Sequence, residues 1–168
     1  GERDEENQIG ITIPFRAWTL DVNRFRQRAT NYFDHNSIGN SNVFFPLSIA
    51  GARIYGQEVT LRSPRILKRG EVSVAYSYQH AEGEGAITGG LTNFSPPDNG
   101  YFFLDHDQRH TLHGNFQWNL PWHGWAAGGV YYGSGFTNGG AEVPSHLDPH
   151  TTFDLSLGKS FGESVSIS

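Results

Sequence analysis

The densest group of titratable side chains in the sequence lies between positions 105 and 113, where carboxylates and imidazoles occur together: Asp105, His106, Asp107, His110 and His113. Histidine nitrogen and carboxylate oxygen are ordinary ligands for hard or borderline metal ions. If a strand begins near Asp107, however, His110 and His113 project from opposite faces and cannot bind one ion without a bend. We therefore predict no metal site and expect Asp107, Arg109 and His113 to form a polar row on one face of the sheet.

The sequence offers no nucleophile in a catalytic setting. It contains no cysteine, which excludes a cysteine nucleophile, a thiolate metal site and a disulfide framework. No Gly-x-Ser-x-Gly turn occurs, and Gly133-Ser134-Gly135 lacks the strand-to-helix context that a hydrolase nucleophile requires. We predict no catalytic residues, no enzymatic activity and no cofactor.

A long segment between positions 81 and 107 combines glycines and the pair Pro96-Pro97 with a group of aromatic rings. Connections of this length are usually functional or disordered. Amphipathic rings suit both ligand binding and anchoring at a membrane interface. Two hypotheses stay open, in which the rings close over a ligand or anchor the segment at an interface. The predicted substrate-binding residues are Tyr101, Phe102, Phe103, Asp105, His106 and His113.

The composition excludes several classes of protein. The 168 residues carry 12 basic and 17 acidic side chains, a net charge of −5, whereas a nucleic-acid surface needs clustered positive charge, so no nucleic acid is expected as a partner. No stretch reaches the roughly 18 apolar residues of a membrane-spanning helix. The aromatic share of 14% and the 21 glycines favour β structure. Because the sequence has no methionine, we expect it to be a mature piece or an excerpt.

Apolar residues recur with a period of two, which is the spacing of a β-strand with one apolar face. The alternation is interrupted in one row, which we call the slip: after Val22 the next apolar residue, Phe25, has the opposite parity, and Arg24 and Arg26 take the apolar positions. The slip predicts either a bulge or the exit of the strand from an apolar layer. With weaker runs included, the sequence predicts about eight strands. The clearest rows begin at Ile9, Trp18, Val72, Leu112 and Phe153.

The predicted connections alternate in length along the chain. In an antiparallel meander successive connections lie at opposite ends of the sheet, so all the short turns share one end. Transmembrane β-barrels have this asymmetry, with short periplasmic turns and long external loops. Short connections are expected at 14–16, 63–70, 121–124 and 160–163, and long ones at 32–48, 81–107 and 134–150.

The polar faces of the predicted strands support the same fold. They carry mostly Ser, Thr, Asn, Gln and His, which suit a water-filled lumen, whereas a soluble surface would carry more Lys and Glu. Rings also gather near both strand ends, as two aromatic girdles would. We predict an all-β fold, an antiparallel transmembrane β-barrel fragment of about eight strands with short periplasmic turns and long extracellular loops. The alternative is that the rings form the core of a soluble β-sandwich.

Several short motifs follow one another along these strands. Residues 51–62, GARIYGQEVTLR, contain the pattern G-x-E-x-x-x-R, and residues 76–78, YSY, lie on the next strand. They are followed by residues 107–111, DQRHT, residues 131–136, YYGSGF, and residues 152–158, TFDLSLG. In order and spacing these motifs resemble the later barrel strands of TonB-dependent receptors, and the resemblance covers nearly the whole chain.

The resemblance implies that residues 1–168 are part of a receptor barrel of about 22 strands closed around a plug, with the plug domain and the C-terminal strand outside this sequence. It implies location in the bacterial outer membrane and active uptake of a scarce nutrient, such as an iron chelate, cobalamin or an oligosaccharide. The ligand would bind to lumen-facing polar rows and long loops without covalent chemistry. The implied partners are outer-membrane lipid, the transported ligand and an energy-transducing TonB-type protein that acts through the plug region.

Two other interpretations stay open. The first is a complete small eight-stranded outer-membrane barrel with a structural or adhesive role. The second is a soluble carbohydrate-binding β protein, which would stay in solution without detergent.

Overall fold

The structure, a computed structural model, describes residues 1–37, 44–89, 100–104, 107–137, 146–161 and 165–167. In that part of the chain no helix has the length and apolar character needed to span a membrane. The described residues form nine strands: β1 (Arg3–Phe15), β2 (Trp18–Ser37), β3 (Phe44–Arg62), β4 (Gly70–Gly89), β5 (Tyr101–Phe103), β6 (His110–Asn119), β7 (Gly124–Gly133), β8 (His150–Phe161) and β9 (Val165–Ile167).

All the strands belong to one antiparallel sheet in the order β1-β2-β3-β4-β6-β7-β8-β9. β5 pairs with residues 82–84 of β4, the part near the long connections, which we call upper. β6 pairs with the lower part, residues 70–78, so β5 and β6 form one return strand with a break between them. Among the described strands β1 and β9 do not pair with each other, and the sheet is open. The predicted antiparallel all-β architecture, with eight strands along its main path, is confirmed.

Two connections that the sequence predicts as long loops contain strand residues in their described parts. β2 runs on to Ser37, β3 begins at Phe44 and β4 ends at Gly89. The prediction of loops at 32–48 and 81–107 is therefore wrong for those residues that lie in strands. Here neither face of the sheet is a uniform apolar row, so the period-two signal on which the prediction depended is weak.

One face of the sheet carries a continuous apolar belt. The register aligns Val22 with Ile11 on β1 and with Val59 on β3, and the same face continues across β4, β6, β7 and β8. Ile9 is 74% exposed and Phe153 is 77% exposed, so the belt is not a packed core. A transmembrane barrel turns such a face towards lipid. The belt consists of Ile9, Ile11, Ile13, Phe15, Trp18, Leu20, Val22, Val59, Leu61, Val72, Val74, Tyr76, Leu112, Phe116, Trp118, Val130, Tyr132, Phe153, Leu155 and Leu157.

The opposite face is polar, and in a barrel it lines the lumen. Asp21 of β2 lies between Thr12 and Thr60 on this face. Its carboxylate accepts a hydrogen bond from the Thr12 hydroxyl (2.6 Å) and forms an ion pair with Arg62. Charge on the lumen face is therefore partly neutralised within the sheet.

The arginines that follow the belt on β2 stay on the belt's face. Pairing between β1 and β2 is continuous over the whole of β1, without a bulge. Arg24, Arg26 and Arg28 therefore continue the row of belt residues, and Phe25 lies on the lumen face. Of the two interpretations of the slip at Phe25, the exit from the apolar layer is confirmed.

Beyond the belt the long strands form a region that we call the extension, consisting of residues 24–37 of β2, 44–57 of β3 and 78–89 of β4, together with β5 and Leu104. It contains the buried apolar core, against which Phe102 packs. A Cβ atom at Gly83 would lie 2.6 Å from Phe102 Cζ, so the glycine makes room for this ring. The core residues are Ala29, Leu47, Ile49, Ala52, Ala81 and Leu104.

Candidate ligand-binding site

A trough runs along the lumen face between β6 and β8. Its floor is the part of β7 from Ala127 to Gly133, where the lumen-facing residues are small apart from Tyr131. Because glycine and alanine have almost no side-chain bulk, the polar rows on either side stand above the floor as walls. The floor residues are Ala127, Gly129, Tyr131 and Gly133, and the wall residues are Thr111, His113, Asn115 and Gln117 on β6 and His150, Thr152, Asp154 and Ser156 on β8.

Two recesses adjoin the trough on the lumen face, the lower one towards the short turns and the second beyond the β6 wall, between β3, β4 and β6. The lower recess has a volume of about 570 Å³ and extends from Asp154 and Asn115 to Arg62 of β3. A second recess of about 320 Å³ lies between Glu58 and His113. Hydroxyl, amide and imidazole groups dominate the walls, so the surface offers many hydrogen bonds and few net charges to a ligand.

Aromatic rings and a buried amide form the upper end of the trough. The ring centroid of Tyr131 lies 4.7 Å from that of His113 and 5.3 Å from that of His150. Gln108 donates hydrogen bonds from Nε2 to Tyr131 Oη (2.8 Å) and to Thr111 Oγ1 (2.9 Å). These contacts hold the phenol and the amide in fixed positions.

The second polar atom of the Gln108 amide has no hydrogen-bond partner among the described residues. Gln108 is 7% exposed, and its Oε1 is buried without a partner. If the amide is turned over, Oε1 accepts from the tyrosine and threonine hydroxyls, which can donate as well as accept, and the nitrogen becomes the atom without a partner. In either orientation one polar atom of this buried amide stays without a partner among the described residues, which costs free energy.

Asp107 holds together the break between β5 and β6. Its side chain is fully buried, and Oδ1 accepts a hydrogen bond from the amide of Ala81 on β4 (2.8 Å). Oδ2 accepts one from Arg109 Nε (3.0 Å) and lies 3.3 Å from His146 Nε2. The amide of Thr137 donates to the Asp107 carbonyl (3.1 Å). One carboxylate therefore connects β4, the break and the connection that follows β7.

Two rings of β5 lie on the outer face of the extension and are held by cations. The guanidinium of Arg53 lies 3.7 Å from the Tyr101 ring centroid, and that of Arg109 lies 4.9 Å from the Phe103 centroid. The Tyr101 hydroxyl hydrogen-bonds to Glu84, which raises the pKa of Tyr101. These are structural contacts that fix β5 to the sheet.

His80 is packed between these rings and β3, above the apolar belt. Its ring is stacked on Tyr55 with a centroid distance of 5.2 Å, and its centroid lies 6.1 Å from that of Phe103. Nδ1 lies 3.7 Å from Glu82 Oε1. Burial, followed by the nearby Arg109 cation, lowers the pKa of His80 from its ordinary value, so the imidazole is neutral at neutral pH.

The structure separates the predicted substrate-binding residues. Tyr101 and Phe103 lie on the outer face of the extension, whereas Phe102 packs inward on the core. His113 lies on the trough wall, and Asp105 and His106 lie outside the described residues. The pairing partners of Phe103 and His113 on β4 are seven residues apart, or about 23 Å at about 3.3 Å per residue.

The predicted polar row of Asp107, Arg109 and His113 is wrong. Asp107 and Arg109 lie in the break, where the chain leaves the strand and their side chains bond to each other. His113 alone is on the lumen face. The prediction that His110 and His113 face opposite sides is confirmed, since the Tyr76 hydroxyl, on the belt side, lies at hydrogen-bonding distance (2.8 Å) from His110 Nδ1. Within the described ranges no group of three or more His, Asp or Glu side chains is arranged to hold a metal ion.

Sequence reasoning missed Gln108, Tyr131 and His150 as members of the trough. The facing of His150 could have been predicted, because it has the same parity as Thr152 and Asp154 on β8. Tyr131 has an ambiguous facing in the sequence, where the glycines of β7 interrupt the alternation. Gln108 lies in the break, whose geometry no local pattern predicts.

Comparison with known proteins agrees with the geometry of belt and lumen face. The family described as "TonB dependent receptor-like, beta-barrel" matches residues 7–168. Neither the comparison with curated proteins nor the comparison with solved structures gave a significant match. This family implies a place in the bacterial outer membrane and a receptor or transport role rather than an enzymatic one. Because the match covers nearly the whole sequence, the chain belongs to the TonB-dependent receptor-like β-barrel family.

Proposed function

We propose that this chain forms part of the barrel wall of an outer-membrane receptor that takes up a scarce nutrient, such as an iron chelate, cobalamin or an oligosaccharide. The observation that carries the proposal is the trough, a polar-walled channel on the lumen face whose floor is glycine and alanine apart from Tyr131. A ligand that moves along this face exchanges one set of hydrogen bonds for another. No covalent step is involved.

The upper end of the trough is the proposed point of first contact within the lumen. Tyr131, His113 and His150 present ring faces and polar edges together, and Gln108 adds a buried amide atom without a partner. Rings and amides of this kind bind polyhydroxylated or amide-rich ligands by stacking and hydrogen bonds. The predicted residues Tyr101, Phe102, Phe103, Asp105 and His106 belong to the proposal as an outer contact region, separate from the trough.

The open sheet supports the proposal that residues 1–168 are part of a larger barrel. Both edge strands present unpaired backbone groups in the described structure, and a membrane barrel must pair all of them. We propose that further strands of the same receptor cover these edges, and that a plug domain fills the lumen and transmits the action of an energy-transducing TonB-type protein.

The test uses the complete receptor that carries this sequence, purified in mild detergent. Binding of a ferric hydroxamate chelate, cyanocobalamin and a set of neutral oligosaccharides is measured by isothermal titration calorimetry. Asn115→Leu in the trough wall is compared with Asn23→Leu, which removes the same amide from the lumen face of β2, away from the trough.

The proposal predicts that one class of ligand binds, that Asn115→Leu weakens its binding about tenfold, which is the usual effect of leaving a buried polar contact unpaired, and that Asn23→Leu changes it little. Equal effects of the two substitutions would refute the assignment of the trough. Absence of binding to every probe would count against the uptake function itself.

A further inference from the structure

Three arginines extend outwards from β2 where the apolar belt ends. Arg24 follows the belt residue Val22 on the same face, and Arg26 and Arg28 continue the row. Successive members are about 7 Å apart, two residues along one strand. All three are exposed. We call them the arginine row.

The arginine row is short of neighbouring negative charge. Arg24 lies between Ile9 and Gln57, and Arg26 lies between Asn7 and Tyr55. None of the ion pairs between described residues involves a member of the row.

Arg28 has two charged neighbours of opposite sign, and among the described residues it forms no ion pair with the acidic one. Its partner on β1 is Glu5, and its partner on β3 is Arg53. The Arg53 guanidinium already donates to Glu82 Oε2 at 2.5 Å. The whole chain has a net charge of −5, so the row is a local concentration of positive charge in an acidic protein.

The position of the row fixes the side of the membrane that it faces. The belt begins beside the short turn between β1 and β2, at Phe15 and Trp18. The row lies at the far end of the belt, towards the long connections. Short turns are periplasmic and long loops are external in outer-membrane barrels, so the row lies on the outer-leaflet side of the belt.

From these observations we propose that the arginine row binds the phosphate groups of an outer-leaflet lipid whose acyl chains cover the belt below. Guanidinium groups present paired donors that match phosphate oxygens. A free phosphate ion would use the same donors, but the continuity of the row with the lipid-facing belt favours a phosphate attached to acyl chains.

The experiment uses the complete receptor in neutral detergent and fluorescent diphosphoryl lipid A as the probe. The triple variant Arg24→Gln, Arg26→Gln, Arg28→Gln is compared with wild type. The matched control is Arg65→Gln, Lys68→Gln, Arg69→Gln, which removes three exposed positive charges from the short turn at the opposite end of the sheet. A third variant replaces the row by three lysines. Circular dichroism confirms folding of each variant.

The row variant should bind the probe about tenfold or more weakly, since each arginine near an anionic lipid contributes measurably to affinity. The lysine variant should lie between it and wild type, and the turn variant should match wild type. Should the triple glutamine variant fail to fold, Arg26→Gln alone should weaken binding about threefold.

Three results would overturn the proposal. Unchanged affinity of the folded row variants would remove the row from lipid binding. An equal loss of affinity in the turn variant would show that the net charge of the protein, and not the position of the row, determines binding. Full displacement of the probe by inorganic phosphate at about 10 mM would assign the row to free phosphate, because a lipid also held by its acyl chains should resist this competition.

Discussion

The amide of Ala81 donates a hydrogen bond to the Asp107 carboxylate at 2.8 Å, in the place where an unbroken neighbouring strand would present a carbonyl. The amide of Leu104 donates to the Ala81 carbonyl on one side of the break (3.0 Å), and Gln79 donates to the Arg109 carbonyl on the other (3.1 Å). A single buried side chain therefore keeps the ladder of β4 satisfied while the return strand is interrupted. The break in turn places Gln108 at the upper end of the trough.

Replacement of Asp107 by asparagine should destabilise the break by about 1–3 kcal/mol, because an amide nitrogen would face the donors of Arg109 or Ala81 in a buried site. The measurement is hydrogen exchange of the Ala81 and Leu104 amides in the complete receptor. Asp148→Asn is the control, since it removes the same charge from an exposed position in the next connection. Equal protection of these amides in the Asp107 variant and in wild type would contradict the role given to this carboxylate.

Gly129→Ala should weaken ligand binding without loss of stability. The new Cβ would lie 3.0 Å from Asn115 Oδ1, the end of a flexible side chain, so the strand can accept it while the trough floor becomes shallower. Loss of a good contact with the ligand corresponds to about a tenfold lower affinity. The calorimetric titration of the ligand that binds wild type checks this value.

The control for this prediction is Gly114→Ala, which adds the same methyl group on the belt face, 2.9 Å from Val130 Cγ1, so that the valine side chain must shift on the lipid side and the lumen face is left unchanged. Its affinity for the ligand should equal that of wild type. If both alanine variants weaken binding equally, the effect belongs to the barrel as a whole and not to the trough.

The stability of β5 in the extension should fall on acidification. Burial and the nearby Arg109 lower the pKa of His80 below 6.5, so below that pH the unfolded segment binds a proton more readily than the folded one. Stability is therefore complete above about pH 6.5 and decreases as the pH falls. Glu82, Asp107 and Arg109 also face this imidazole. The comparison therefore needs a variant in which only the titratable imidazole is replaced.

Hydrogen exchange of the β5 amides between about pH 7.5 and pH 5.5, corrected for the intrinsic pH dependence of exchange, measures this effect. His80→Gln should have a flatter profile than wild type, because the titrating group is gone. Identical profiles for the two proteins would assign the pH dependence to another group.

The belt and the lumen face follow from the sequence because each is a simple row of period two. Phe153, Leu155 and Leu157 alternate with Thr152, Asp154 and Ser156, and the structure keeps every one of them on its expected face. The extension could not be predicted in this way. Its strands carry Arg26, Glu82 and Ala52 on mixed faces, and they pair through backbone hydrogen bonds that leave little trace in side-chain patterning.

The candidate site was only half predictable for a related reason. His113 lies in a regular strand, and its facing follows from parity. Gln108 and Asp107 lie in the break, where their positions depend on hydrogen bonds to Tyr131 and to Ala81, residues far away in sequence. Local patterns contain no information about such contacts.

The most direct test measures whether the exposure of β8 side chains to lipid and to water alternates with a period of two in the complete receptor. The chain has no cysteine, so single cysteines introduced at each position from Thr152 to Leu157 can carry a spin label whose collisions with oxygen and with a water-soluble nickel complex are measured in bilayers. Labels at 153, 155 and 157 should collide with oxygen from the lipid, and labels at 152, 154 and 156 should collide with the nickel complex in the lumen. Equal accessibility at neighbouring positions, or the opposite phase, would contradict the assignment of the belt to lipid and of the trough to the lumen.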